Sequence, residues 1–340
     1  MGFIASVVQI TRLSHGLRGM IDRRTAFLTL GALACGARLS LAQPAGKPPR
    51  IGIAVGTDAF YEAFLQALGV AGWINGRNIV VERRTILGRR DQIPQLVAET
   101  MALNVDVIVA SSPPTIAAFK KATSTIPIVA IDFESDPVAS GFIAGFPRPG
   151  WNITGVFVDL PELAGKQLEF LKETMPGLAR VAVLWDTDIG GHQFQATKDA
   201  ARLAGLSLEP IGFLRSEDLA PAFDRAVRAR AQAVVILTSP VIAQSRKHIG
   251  ELTLKRRLPT ISPFTWLPEA GILMAYGPSL QDIYRRAAGY VDRILKGATA
   301  GDLPVERPSK FELVINLRTA EALGVAIPQS LMQRADRVIQ

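Results

Sequence analysis

The stretch VDVIVASSPP (residues 105–114) decides the fold. It is an apolar run of strand length that stops at paired serines and prolines, where a strand must end and a helix can begin. Its apolar core shows little polar alternation, which suits a strand buried on both faces, the condition met in parallel sheets. The pattern returns as AVVILTSP (233–240), again an apolar run closed by hydroxyl residues and a proline. One buried strand with its following junction has been used twice.

On either side of the first copy, strand-like and helix-like segments alternate. IGIAV (51–55) reads as a short buried strand, and from Asp58 a helical spacing puts Phe60, Phe64 and Leu68 on one face. A glycine turn at 72–76 leads to a strand at 79–82, a helix at about 94–103, and then the opening stretch. A helix to Ala122 and a strand at 127–131 follow. RVAVLW (180–185) resembles the first strand, and 257–261 echoes 125–129. These correspondences hold an offset of roughly 130 residues, far beyond a solenoid period. The expected fold is α/β, with two duplicated parallel-sheet lobes. FPRPGWNITG (146–155), rich in proline and glycine, has the composition of a boundary between lobes. A further strand is expected at 310–317 and a short helix at 319–323.

The first 42 residues read as a signal peptide. Arg23 and Arg24 form a positive start, AFLTLGALA (26–34) a short apolar stretch, and Ser40-Leu41-Ala42 a small-residue cleavage site. The apolar stretch is too short for a membrane span. Met20 directly precedes the charged region and reads as the true start. Cys35, after Leu33 and Ala34, faintly resembles a lipoprotein processing site; cleavage after Ala42, which removes it, is the favoured expectation. Periplasmic location follows from this reading, with lipid anchoring at Cys35 as the variant.

Lys and Arg number 38 against 30 Asp and Glu, a net charge of +8. Five bases (Arg12, Arg18, Arg23, Arg24, Arg38) and one acid (Asp22) lie in the leader, so the remainder carries 33 against 29, or +4. The basic balance is partly a property of the leader, and no nucleic-acid partner is expected.

In parallel α/β sheets, ligands sit beyond the carboxyl ends of the strands. The residues to watch are therefore Thr57 and Asp58 after the first strand, and Ser111, Ser112 and Thr115 after the third. Asp132, Phe133 and Asp136 follow the next strand. In the second copy the positions are Trp185 and Asp186, Thr238 and Ser239, then Phe264 and Tyr276. Hydroxyls and free N–H groups at the Ser111, Ser112 and Thr115 junction suit a carboxylate, though a plain helix cap is equally economical there. Asp132 and its neighbours suit a ligand ammonium or the capping of the next turn. The aromatics suit an apolar ligand or the packing of the lobe interface. No HExxH, GxSxG, GxxxxGK[ST] or early GxGxxG occurs, so no catalytic residue, metal ligand or cofactor is expected.

Longer blocks add a resemblance. TSTIPIVAIDFESDPVASGF (123–142), RPGWNITGVF (148–157), ELAGKQLEFLKE (162–173), AYGPSLQDIYRRAAGYVDRILKG (275–297) and LPVERPSKFELVINLRTAEALG (303–324) resemble the ABC transporter substrate-binding family typified by tryptophan- and tyrosine-uptake proteins. The likeness spans residues 20–340. It implies a type-I periplasmic-binding-protein-like fold with a three-crossing hinge. Lobe 1 would take 50–152 plus 277–307, and lobe 2 would take 153–276 plus 308–340. It further implies a monomer that captures a small carboxylate, an amino acid of aromatic type, for an ABC permease. The Ser111, Ser112 and Thr115 junction would receive the carboxylate, Asp136 would belong to a DPV turn and Tyr276 to the YGPS segment. A ligand-sensing protein feeding a membrane receptor is the alternative. Trp151 departs from the family pattern, standing where a second glycine is usual, and Ile272 replaces another common glycine.

Overall fold

In a computed structural model of the chain, residues 47–54, 58–85, 89–158 and 162–340 are described, excluding the side chains of 58–60. The leader reading, including Met20, Cys35 and the cleavage site, falls outside them, as does Thr57; Asp58 opens a helix, but its side chain lies outside the described set.

The first five strands are β1 (Arg50–Ala54), β2 (Val80–Arg84), β3 (Val107–Ser111), β4 (Ile128–Asp132) and β5 (Ile153–Phe157). They form one fully parallel sheet in the order β2-β1-β3-β4-β5. The connecting helices are α1 (Asp58–Val70), α2 (Ile93–Ala102) and α3 (Pro113–Ala122). The apolar run that opened the sequence is β3. Val107, Ile108, Val109 and Ala110 are fully buried because β3 lies centrally between β1 and β4 with packing on both faces.

The second group repeats the plan with β6 (Arg180–Asp186), β7 (Ser207–Phe213), β8 (Ala233–Ile236), β9 (Thr260–Ser262) and β10 (Met274–Pro278). Their order, β7-β6-β8-β9-β10, is that of the first sheet with each strand replaced by its counterpart. This bears out the duplicated α/β fold read from the sequence. The helix α4 (Glu162–Thr174) leads into β6, and α5 (Gly191–Leu203), α6 (Leu219–Arg228), α7 (Pro240–Gln244) and α8 (Arg246–Arg256) run between the strands. Two further strands, β11 (Phe311–Asn316) and β12 (Arg337–Ile339), extend the sheet to seven.

One pairing departs from the all-parallel expectation: β11 runs antiparallel to β10, from Met274 opposite Ile315 to Pro278 opposite Phe311. The route of the chain explains it. After β10 the chain makes α9 (Leu280–Leu295), which packs on α1 and against β4 and β5 of the first sheet, and then returns beside the strand it left. Ile283, Tyr284, Ala287, Tyr290 and Val291 form the buried face of α9. The helices α10 (Leu317–Leu323) and α11 (Gln329–Arg334) close the chain.

The strand β5 lies in the first sheet, paired to β4 from Ile128 opposite Ile153 to Asp132 opposite Phe157. The residues directly after the expected boundary at 152 thus form the edge strand of the first sheet. The cause is visible in the residues: Ile153, Val156 and Phe157 are fully buried. Gly155 sits at φ +138°, where an added Cβ would lie 2.1 Å from the Ala130 carbonyl oxygen. Only glycine lets the two strands approach there. Asn152 acts in the turn before β5, donating to the carbonyls of Ile126 at 2.8 Å and Thr123 at 3.2 Å.

Candidate functional site

The carboxyl ends of the two sheets meet. At the end of β4, the Phe133 carbonyl accepts the Thr238 hydroxyl from the end of β8 at 3.2 Å. The Phe133 ring meets Phe264 edge-on at 5.8 Å, and Phe264 stacks on Trp266 at 5.1 Å. Arg90, in the connection between β2 and α2, reaches from the first half to Asp186 and, at 2.5 Å, to Asp188 in the second.

Asp186 is fully buried at the last position of β6. Besides Arg90, it accepts the Ser239 hydroxyl at 2.6 Å and the Asp188 amide at 3.2 Å. Ser239 also accepts the Val241 amide at 3.1 Å, so one hydroxyl caps α7 and ties β8 to β6. Trp185 points elsewhere, stacking on Phe194 of α5 at 4.6 Å.

The buried acids at the end of β4, in the first half, sit in different company. Asp132, fully buried, accepts the Glu134 amide at 2.8 Å, the Ser135 amide at 3.3 Å and the Ser135 hydroxyl. It thus holds the turn after β4, the capping role its position allowed. Glu134 is buried beside it, and desolvation pushes its carboxyl well above the usual range, with the charges of Asp132 and Asp186 adding to the effect. Desolvation also raises Asp132, against hydrogen bonds that favour its charged form. Two adjoining buried carboxyls disfavour double ionisation. Asp136 accepts the amides of Val138 and Ala139 at 2.8 and 3.1 Å, closing the DPV turn.

At the end of β3, Ser111 donates to the Ala54 carbonyl at 3.3 Å, and the hydroxyls of Ser112 and Thr115 lie 3.2 Å apart. Ser112 adopts φ +72°, in the region that favours glycine, and makes no side-chain cap to α3. Tyr276 lies apart from this group. Its ring packs edge-on against Phe170 of α4 at 5.0 Å, and its carbonyl accepts the Gln167 side chain at 2.8 Å.

Between the strand ends opens a small pocket. Phe133 and Val158 wall it from the first sheet, with Leu163, Ala164, Leu237 and Pro263 opposite. Its polar lining is Gln167 on α4, His192, Gln193 and Thr197 on α5, and Thr238. Among the described residues, no Asp, Glu, Lys or Arg lines it. Of the residues singled out from the sequence, the pocket brings together Phe133 and Thr238. Asp186, Ser239 and Phe264 are joined to that pair by direct contacts or through one another, while Ser111, Ser112 and Thr115 form a separate cluster. The glutamines of α4 and α5 and the cross-sheet Arg90 escaped the sequence reading. Asp186 is among the positions the sequence singles out, and the first turn of the helix that follows it was the available signal.

Comparison with known proteins agrees with this architecture. Residues 54–339 match the family model described as ABC transporter substrate binding protein. A tyrosine-binding protein of Clostridioides difficile is 24% identical over 270 residues, 79% of this chain and 77% of the relative. A conserved domain protein of Vibrio cholerae superposes with TM-score 0.80 at 25% identity, covering 86% of this chain and 100% of that one. An ABC domain from Streptococcus pneumoniae solved in complex with L-Trp gives TM-score 0.79 at 22% identity, with 86% and 100% covered. The fold is thus that of the type-I periplasmic binding proteins, and the family binds transported substrates without transforming them. The match runs through both sheets and the α9 return, and on that ground the chain belongs to the ABC transporter substrate-binding protein family.

Proposed function

We propose that this protein is the exported, periplasmic solute-binding component of an ABC importer. It captures a small carboxylate with an apolar body, an amino acid of aromatic type, between its two halves. The observation that carries this reading is the pocket between the carboxyl ends of the two sheets, mostly apolar in its walls and bridged by Thr238 and Phe133. An aromatic body fits walls of Phe133, Val158, Leu163 and Leu237, and burying one would contribute about 2 kcal/mol or more. That distant relatives are named for tyrosine or were solved with L-Trp supports the same class.

In this reading, lobe 1 is the five-stranded sheet with α9 and lobe 2 is the seven-stranded sheet. Closure brings Arg90 to Asp186 and Thr238 to Phe133, and a membrane permease receives the closed form. Thr57, Asp58, Ser111, Ser112 and Thr115 contribute from the first lobe. Ligand binding adds stability by mass action, so thermal-shift screening of the mature protein tests the class. Aromatic amino acids should raise the melting temperature. Strong shifts with sugars or nucleosides, and none with carboxylates, would overturn the assignment.

A further inference from the structure

Gln193 sits in the first turn of α5 and lines the pocket. Its carbonyl oxygen accepts the Thr238 amide at 3.1 Å. That contact fixes which way the side-chain amide faces, because a backbone N–H can only be met by the oxygen end. The nitrogen end is then turned the other way. Its Nε2 atom is buried and has no acceptor among the described residues. A buried donor without a partner costs free energy, and its N–H groups are directional.

The pocket around it supplies the second half of the argument. No Lys or Arg stands among the described lining residues to meet a ligand anion. The Thr238 hydroxyl is already committed to the Phe133 carbonyl. Gln167 directs its own nitrogen to the Tyr276 carbonyl and away from any ligand. Gln193 is therefore the amide in this wall whose donor is both buried and uncommitted.

We infer that Gln193 Nε2 is the specificity-determining donor of the pocket, hydrogen-bonding a planar oxygen acceptor, a carboxylate, on a ligand whose body lies against the apolar walls. The inference rests on the carboxylate reading above and adds to it a residue and an atom. The closure contact and the ligand contact then share one side chain. Thr238, which joins the two sheets through its hydroxyl, orients Gln193 through its backbone amide.

The test is titration calorimetry of the mature protein with L-tryptophan and L-tyrosine, alongside the variants Gln193→Glu and Gln193→Leu. Glutamate keeps an acceptor for the Thr238 amide and replaces the donor by an acceptor; leucine removes both. Both should weaken binding by about tenfold or more, the scale of a hydrogen bond to a charged group. With Gln193→Glu, the ligand-free melting temperature should stay near that of the wild type. Affinity unchanged in Gln193→Glu would overturn the inference and leave the ligand class standing. A loss of affinity in both variants matched by an equal loss of ligand-free stability would assign Gln193 to the fold and also overturn it. No binding of either amino acid by the wild type would overturn the carboxylate reading, and this inference with it.

Discussion

Two acidic strand ends, one in each half of the duplicated plan, have opposite surroundings. At the end of β4, Asp132 is buried beside a second carboxyl, Glu134. At the end of β6, Asp186 is buried against a guanidinium, Arg90, and a hydroxyl, Ser239. The first arrangement disfavours negative charge and the second compensates it. Both acids end a buried strand, and the partners brought by the surrounding loops decide the electrostatic role of each. Arg90 belongs to the other half, so the compensation at β6 depends on the two sheets being together.

That contrast can be broken from either side. The largest effect should come from Asp186→Ala, which strips the partner from Arg90 and Ser239 at a fully buried position. A loss of roughly 3 kcal/mol is expected in denaturant unfolding. An effect near zero would mean that Arg90 and Asp186 do not compensate one another.

The opposite sign is expected at β4. Glu134 titrates above its unfolded value, so the folded state binds more protons than the unfolded state once pH exceeds the ordinary carboxylate range. The stability associated with its protonated form is complete below the unfolded value and is lost as pH rises through the folded one. Asp132, Asp186 and Tyr284 all couple to this group electrostatically. Glu134→Gln, neutral throughout, should stabilise the protein increasingly as pH rises through the window above the ordinary carboxylate range. Unfolding free energies that run parallel for wild type and variant across that window would remove the contrast.

A smaller comparison concerns the two strand-to-helix junctions. Ser239 is a working cap, whereas Ser112 holds a positive φ and caps nothing. Ser239→Ala should cost about 1–2 kcal/mol through the lost cap and the lost bond to Asp186. Ser112→Gly should stabilise by about 1 kcal/mol, the relieved backbone strain exceeding the added chain entropy. Equal signs in paired melting curves would show that the two junctions are equivalent after all.

Much of the fold was legible because burial on both faces forces apolar runs, and β1, β3, β4, β6 and β8 each carry one. The strand β5 was harder. Its residues lie in a proline- and glycine-rich stretch whose composition is that of a linker, and the glycine that suggested flexibility is required by close strand packing. The antiparallel return of β11 depends on where α9 goes, which no local pattern records. The site was legible as a set of strand ends and less so as a set of contacts. Asp186 and Thr238 were marked by position, but Arg90 reaches Asp186 from 96 residues away. Gln193 carries its meaning through the orientation of an amide, a property of three dimensions.

The segments that pass between the sheets have a mechanical consequence. Glu306, on the returning segment, donates to the Gly155 carbonyl at 3.0 Å and accepts the Phe157 amide at 3.0 Å, binding it to the first passage. Further along, Lys310 accepts the Ser279 amide at 2.9 Å and Phe311 pairs with Pro278, binding the same segment to the second passage. The three passages are thereby stitched side by side into one ribbon. In the proposed capture cycle, that ribbon would bring Arg90 and Asp186 together along a repeatable arc each time the halves close.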